Sequence, residues 1–88
     1  MRKHIQIRMK GDVLNKGLRF QALREAHQYN ISGWVAELSD SLRIEAEGEE
    51  ANIEAFVERC RKGLDYKIAI TLEVSEKPLI FFDRFLIL

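Results

Sequence analysis

The chain is short of everything that would tie it to an oxidising compartment, a membrane or a metal. Its one cysteine, Cys60, leaves no partner for an internal disulfide and no CxxC metal site. No apolar run approaches the ~20 residues of a membrane-spanning helix. The opening Met1-Arg2-Lys3-His4, followed by alternating Ile5, Ile7 and Met9, lacks the apolar stretch of a secretory signal. The expectation is a cytoplasmic protein with no membrane association. Internal repeats and low-complexity tracts are also missing. An excess of either charge is missing too: the formal net charge is +0. That balance, with no cluster of exposed aromatics, argues against a nucleic-acid binder.

What is present is one domain's worth of chain. Its 88 residues fall within the roughly 50–250 residues of typical domains, so a single domain over residues 1–88 is expected. With 47% apolar and 32% charged residues, it is neither disordered nor membrane-like.

The charges are segregated even though they cancel. Arg2, Lys3, Arg8, Lys10, Lys16, Arg19 and Arg24 crowd the first 24 residues beside Asp12 alone. Glu37, Asp40, Glu45, Glu47, Glu49, Glu50, Glu54 and Glu58 crowd residues 37–58 against Arg43 alone. Such asymmetry signals either an anion site near the N-terminal segment or two neighbouring segments that neutralise each other.

Periodicity organises the chain. His4–Lys10 alternates, with Ile5, Ile7 and Met9 on one face, which predicts a half-buried strand. Gly11 to Gly17 is a loop, and from Leu18 to about Asn30 the spacing turns helical. Trp34–Leu38 and Leu42–Glu47 read as a hairpin around Ser39-Asp40-Ser41. Ile53, Phe56, Val57, Cys60 and Leu64 fall at i, i+3, i+4, i+7 and i+11, the clearest amphipathic helix here. Cys60 on that stripe reads as a small buried hydrophobe. Ile68, Ile70, Leu72 and Val74 alternate as a fourth strand that Pro78 closes, and Phe82–Leu88 supplies a short fifth.

The order β-α-β-β-α-β is the ferredoxin-like split βαβ arrangement of the α+β class. It predicts an antiparallel sheet of four to five strands with two helices on one face. The first and third strands would be central neighbours, with His4, Gln6, Arg8 and Lys10 meeting Arg43, Glu45 and Glu47 on a solvent face, basic against acidic. Trp34, Phe56, Phe82 and Phe85 are expected in the core. The apolar ending, on an edge strand, leaves monomer or weak homodimer as the expected states.

Lys16 and Arg19 are the bases this pairing does not explain. They sit where a glycine-bearing loop meets a helix, so that backbone N–H groups lie beside the positive end of the helix dipole. An arginine in the first turn adds a planar fork able to hold a phosphate bidentately. On the loop alone, an anion site and an ordinary strand–helix junction both remain open.

The stretch Gly11-Asp12-Val13-Leu14-Asn15-Lys16-Gly17-Leu18-Arg19 resembles the acylphosphatase signature Gly-x-Val-Gln-Gly-Val-Gly-Phe-Arg, matching at Gly11, Val13, Gly17 and Arg19. Ile31-Ser32-Gly33-Trp34-Val35, Leu42–Gly48 and Phe82–Ile87 resemble later segments of the same family, in register along the chain. The resemblance implies hydrolysis of acyl phosphates to carboxylate and phosphate, with no cofactor and no metal. It implies a small phosphate-containing anion as partner, bound by Asn15, Lys16, Gly17, Leu18 and Arg19. It also implies an asparagine on the second strand that positions the attacking water.

Glu37 stands where the resemblance expects that asparagine, so Arg19 and Glu37 become the candidate catalytic pair. A carboxamide both donates and accepts, whereas an ionised carboxylate only accepts. Two unit charges ~4 Å apart at an effective dielectric of 20 repel by roughly 4 kcal/mol, and Glu37 is in position to pair with Arg19 in the anion's place. Two readings stand side by side: an acyl-phosphate hydrolase, or a non-catalytic domain that binds a small anion or a protein partner.

Overall fold

The computed structural model describes residues 1–14, 17–64 and 68–88. Among these residues the chain forms β1 (Arg2–Gly11), α1 (Leu18–Gln28), β2 (Ser32–Glu37), β3 (Ser41–Glu49), α2 (Glu50–Arg61), β4 (Ile70–Lys77) and β5 (Phe85–Ile87). This is the expected element order, and the fold is ferredoxin-like α+β. The fourth strand runs from Ile70 to Lys77, further along the chain than its apolar alternation, and the fifth shrinks to Phe85–Ile87.

Alternation in β1 and β3 does what period 2 requires. Ile5, Ile7 and Met9 and, opposite them, Leu42, Ile44 and Ala46 are buried on the face that receives both helices. The helices answer with Leu18, Ala22 and Ala26 from α1 and Ile53, Phe56 and Cys60 from α2. Phe56 is fully buried and meets Phe85 edge to face at 6.4 Å. Removing a side chain so placed costs ~3–5 kcal/mol. Cys60 is buried as expected, and burial pushes its thiol up to about 12.

The sheet order is β4-β1-β3-β2-β5. One expectation needs correcting: the sheet is mixed, because β5 runs parallel to β2. β4 and β5 occupy opposite edges, so the chain between them must cross the sheet, and it re-enters alongside β2 in the same direction.

That crossing overturns a second expectation. Residues 78–82 lie across the outer face of β1 and β3, and His4, Glu45 and Glu47 beneath them are buried rather than solvated. Glu47 accepts the backbone N–H groups of Ile80 at 2.7 Å and Phe82 at 2.8 Å, and Arg2 reaches the same carboxylate at 3.3 Å. His4 bridges Glu45 Oε1 at 2.6 Å and the Pro78 carbonyl at 2.7 Å. Its ring meets Phe82 edge to face at 5.4 Å. Burial pushes the Glu47 carboxyl up, but the N–H groups of Phe81, Ile80 and Phe82 and the Arg2 guanidinium outweigh it, holding the group below the usual carboxylate range.

Register corrects a third expectation. Gln6 faces Glu45 and His4 faces Glu47, but Arg8 lies directly opposite Arg43. The basic strand therefore does not meet acids along its whole length. Trp34 and Phe82 are half-buried on this outer side rather than in the core. Trp34 lies beneath the Arg43 guanidinium, 5.4 Å from carbon to ring centroid.

Candidate active site

The loop after β1 is anchored before it reaches α1. Val13 donates its N–H to the Gly11 carbonyl at 2.9 Å and buries its side chain almost completely. Asn15 and Lys16, two of the expected anion-binding residues, lie outside the described residues. Gly17 then caps α1 with φ 73, a left-handed conformation that suits glycine because a Cβ is disfavoured there.

Leu18 opens the helix and is buried, so its side chain belongs to the core and only its backbone faces the junction. With no side-chain cap at Gly17, the first N–H groups of the helix have no partner within it. Arg19 is turned ~100° from Leu18 by helical geometry, which carries its side chain out of the core and toward β2 and β5.

Glu37 arrives from the other direction by the same kind of reasoning. Gly33 and Val35 are buried on the helix side of β2, and period 2 puts Glu37 on that side too. As the last residue of the strand, it lies past the packed core at the N-terminal end of α1. Arg19 Nη2 sits 3.7 Å from Glu37 Oε2, with the side chains 35% and 25% exposed. Arg19 Nη1 donates to the Leu88 carbonyl at 3.3 Å. Leu88 is itself seated on β2 through its N–H to the Val35 carbonyl at 2.8 Å.

Of the expected site residues, Gly17, Leu18, Arg19 and Glu37 therefore converge at one corner of the fold. The Leu88 carbonyl joins them without any signal in the sequence, since a backbone acceptor is independent of residue type.

The electrostatics favour a negative group at this corner. The first turn of α1 contains no acid and does contain an arginine, an arrangement the helix dipole disfavours by ~0.3–1 kcal/mol. Glu37 partly compensates. An exposed ion pair of this kind contributes only ~0.2–1 kcal/mol, so an incoming dianion competes with it on close terms. Among the described residues, no three His, Cys, Asp or Glu side chains gather as a metal site. Among the described residues, no helix is long and apolar enough to cross a membrane.

Comparison with known proteins agrees with this fold. The family model described as Acylphosphatase matches residues 5–87. The chain is similar to an acylphosphatase of Oceanobacillus iheyensis, 39% identical over 62 residues covering 69% of this chain and 68% of that one. It is similar to an acylphosphatase of Staphylococcus aureus, 36% identical over 81 residues covering 85% and 91%. Among solved structures, the acylphosphatase from Bacillus subtilis superimposes with a TM-score of 0.89 at 30% identity, over 100% of this chain and 99% of that one. Full-length HypF in its phosphate- and nucleotide-bound form superimposes with a TM-score of 0.93 at 31% identity. There the chain covers only 12% of the other protein, so the likeness is to one part of it. With a family match over nearly its whole length and a fold that agrees with it, the chain belongs to the acylphosphatase family.

Proposed function

We propose that the junction between β1 and α1 binds the phosphoryl group of an acyl phosphate and that the chain transfers it to water. The water oxygen bonds to phosphorus as the bond from phosphorus to the acyl oxygen breaks. The acyl group leaves as a carboxylate, and the protons of water pass to phosphate and solvent. Phosphoryl transfer of this type depends mainly on positioning and charge stabilisation. Arg19 and the N–H groups of Gly17 and Leu18 supply both. The observation that carries the reading is Arg19 in an acid-free first turn, its fork divided between the Leu88 carbonyl and Glu37.

Glu37 sets the rate in this reading. The phosphoryl group displaces it from Arg19 and then lies beside a carboxylate, which opposes binding and leaves water without the donor a carboxamide offers. The same ion pair favours a second reading, in which the corner binds an anion and does not turn it over.

Steady-state hydrolysis of an aryl acyl phosphate separates the two. The parent is expected to be active, Arg19→Ala to lose that activity, and Glu37→Asn to exceed the parent at least tenfold. A silent parent awakened by Glu37→Asn supports the binding-only reading. A parent whose activity survives Arg19→Ala rules out this corner as the site.

A further inference from the structure

The outer face of the sheet carries a cationic pair that the acyl-phosphate site does not use. Arg8 on β1 and Arg43 on β3 are direct cross-strand partners. Their side chains leave the sheet on the same face with Cβ atoms ~4.5–5.5 Å apart, and like charges so placed destabilise a sheet.

Neighbouring acids answer Arg43 but not Arg8. Glu45 is divided between His4 at 2.6 Å and Arg43 at 3.2 Å. Glu73, the partner of Arg8 on β4, is engaged by Lys10 at 3.3 Å. Gln6 gives its carbonyl oxygen to Arg43 Nη2 at 3.0 Å. Among the described residues Arg8 has no acceptor, and its Nε is buried without one. A buried donor left without a partner is destabilising and calls for a missing acceptor.

Space for such an acceptor lies on either side of Gln6. One depression of about 300 Å³ is lined by Arg8, Glu73 and Ser75, and another of about 310 Å³ by Arg43, Lys77 and Glu45. We propose that this face binds a small phosphate-type dianion between the forks of Arg8 and Arg43, at a site distinct from Arg19. Two guanidinium groups from directly paired strand positions match the several oxygens and double charge of a phosphate monoester or inorganic phosphate. The ligand relieves the repulsion between the arginines, and Lys77 adds to its attraction.

Inorganic phosphate titrated at constant ionic strength tests the site directly, followed by the arginine Nε–H resonances in a proton–nitrogen NMR spectrum. The Arg8 and Arg43 signals are expected to move along one saturable curve, and to do so equally in Arg19→Ala. Arg8→Gln should raise the apparent Kd reported by Arg43 at least tenfold, and Arg43→Gln should do the same for Arg8. Trp34 fluorescence should follow the same curve, because the Arg43 guanidinium lies over its ring.

Dimethyl phosphate, a monoanion, should bind at least tenfold more weakly. Stationary or linearly drifting arginine signals overturn the proposal, as does a response unchanged in Arg8→Gln or abolished by Arg19→Ala. Equal binding of dimethyl phosphate, or tighter binding of a short oligonucleotide on the same resonances, overturns the assignment to a small dianion.

Discussion

Glu47 accepts the backbone N–H of Ile80 at 2.7 Å, across 33 residues of chain. With the N–H of Phe82 and the guanidinium of Arg2 on the same carboxylate, this contact fastens residues 78–82 to the sheet. A wholly buried carboxylate is tolerable here because donors surround it.

Ile80 and Phe82 donate to different oxygens of this carboxylate, so Glu47→Gln puts an N–H2 group where one of them already points. At ~1–3 kcal/mol for a buried group left without its partner, the expected cost is about 2 kcal/mol. In a domain of this size that lowers Tm by roughly 8–16 °C. Calorimetry of the two proteins checks it, and a change under about 2 °C would sink the clamp role.

The same residue predicts the direction of acid sensitivity. Its pKa is lowered in the folded protein, so the unfolded chain takes up the proton first as pH falls. The stabilisation is therefore complete above the unfolded value, ordinarily near 4.5, and is lost as pH drops through the lower folded value. Urea midpoints measured from pH 6 to pH 2.5 should fall more steeply in the parent than in Glu47→Gln. Parallel curves would assign the acid lability elsewhere.

Glu37→Gln separates the charge of Glu37 from its geometry at the acyl-phosphate site. The substitution removes both the competing ion pair, ~0.2–1 kcal/mol, and the repulsion of the dianion. Phosphate binding reported by the Arg19 Nε–H resonance should tighten about tenfold, equivalent to ~1.4 kcal/mol. Unchanged affinity would show that Glu37 does not contend for Arg19.

Gly33 is held by close packing. With φ 138, an added Cβ would stand 1.8 Å from the Glu45 carbonyl oxygen, whereas at Gly48 it would meet the Ile31 Cδ1 atom at 3.1 Å. A backbone atom cannot give way as a side-chain terminus can, and strain at such a φ costs ~1–3 kcal/mol by itself. Gly33→Ala is therefore expected to lower the urea midpoint far more than Gly48→Ala. Equal effects would falsify the close-approach account.

Much of the molecule was legible in local pattern. Ile5, Ile7 and Met9 mark the inner face of β1 because period 2 is a property of the strand itself, and the Ile53–Cys60 stripe marks the buried side of α2 for the corresponding reason. The Gly17-Leu18-Arg19 junction, with its arginine in the first helical turn, was equally visible. That Glu37 would stand beside it came from resemblance to a family pattern, not from spacing.

What tertiary structure alone decided lies on the outer face and at the edge. Whether His4, Glu45 and Glu47 meet water depends on residues 78–82 returning across the sheet, a long-range event no strand's alternation encodes. The parallel pairing of β5 follows from the same crossing. The juxtaposition of Arg8 and Arg43 is a matter of register, and register belongs to a pair of strands: a shift of one residue turns every side chain to the opposite face. Local sequence set which residues face inward and where the helix begins, because those depend on near neighbours. Chain crossing and strand pairing decided which outward charges are buried, paired or left opposing one another.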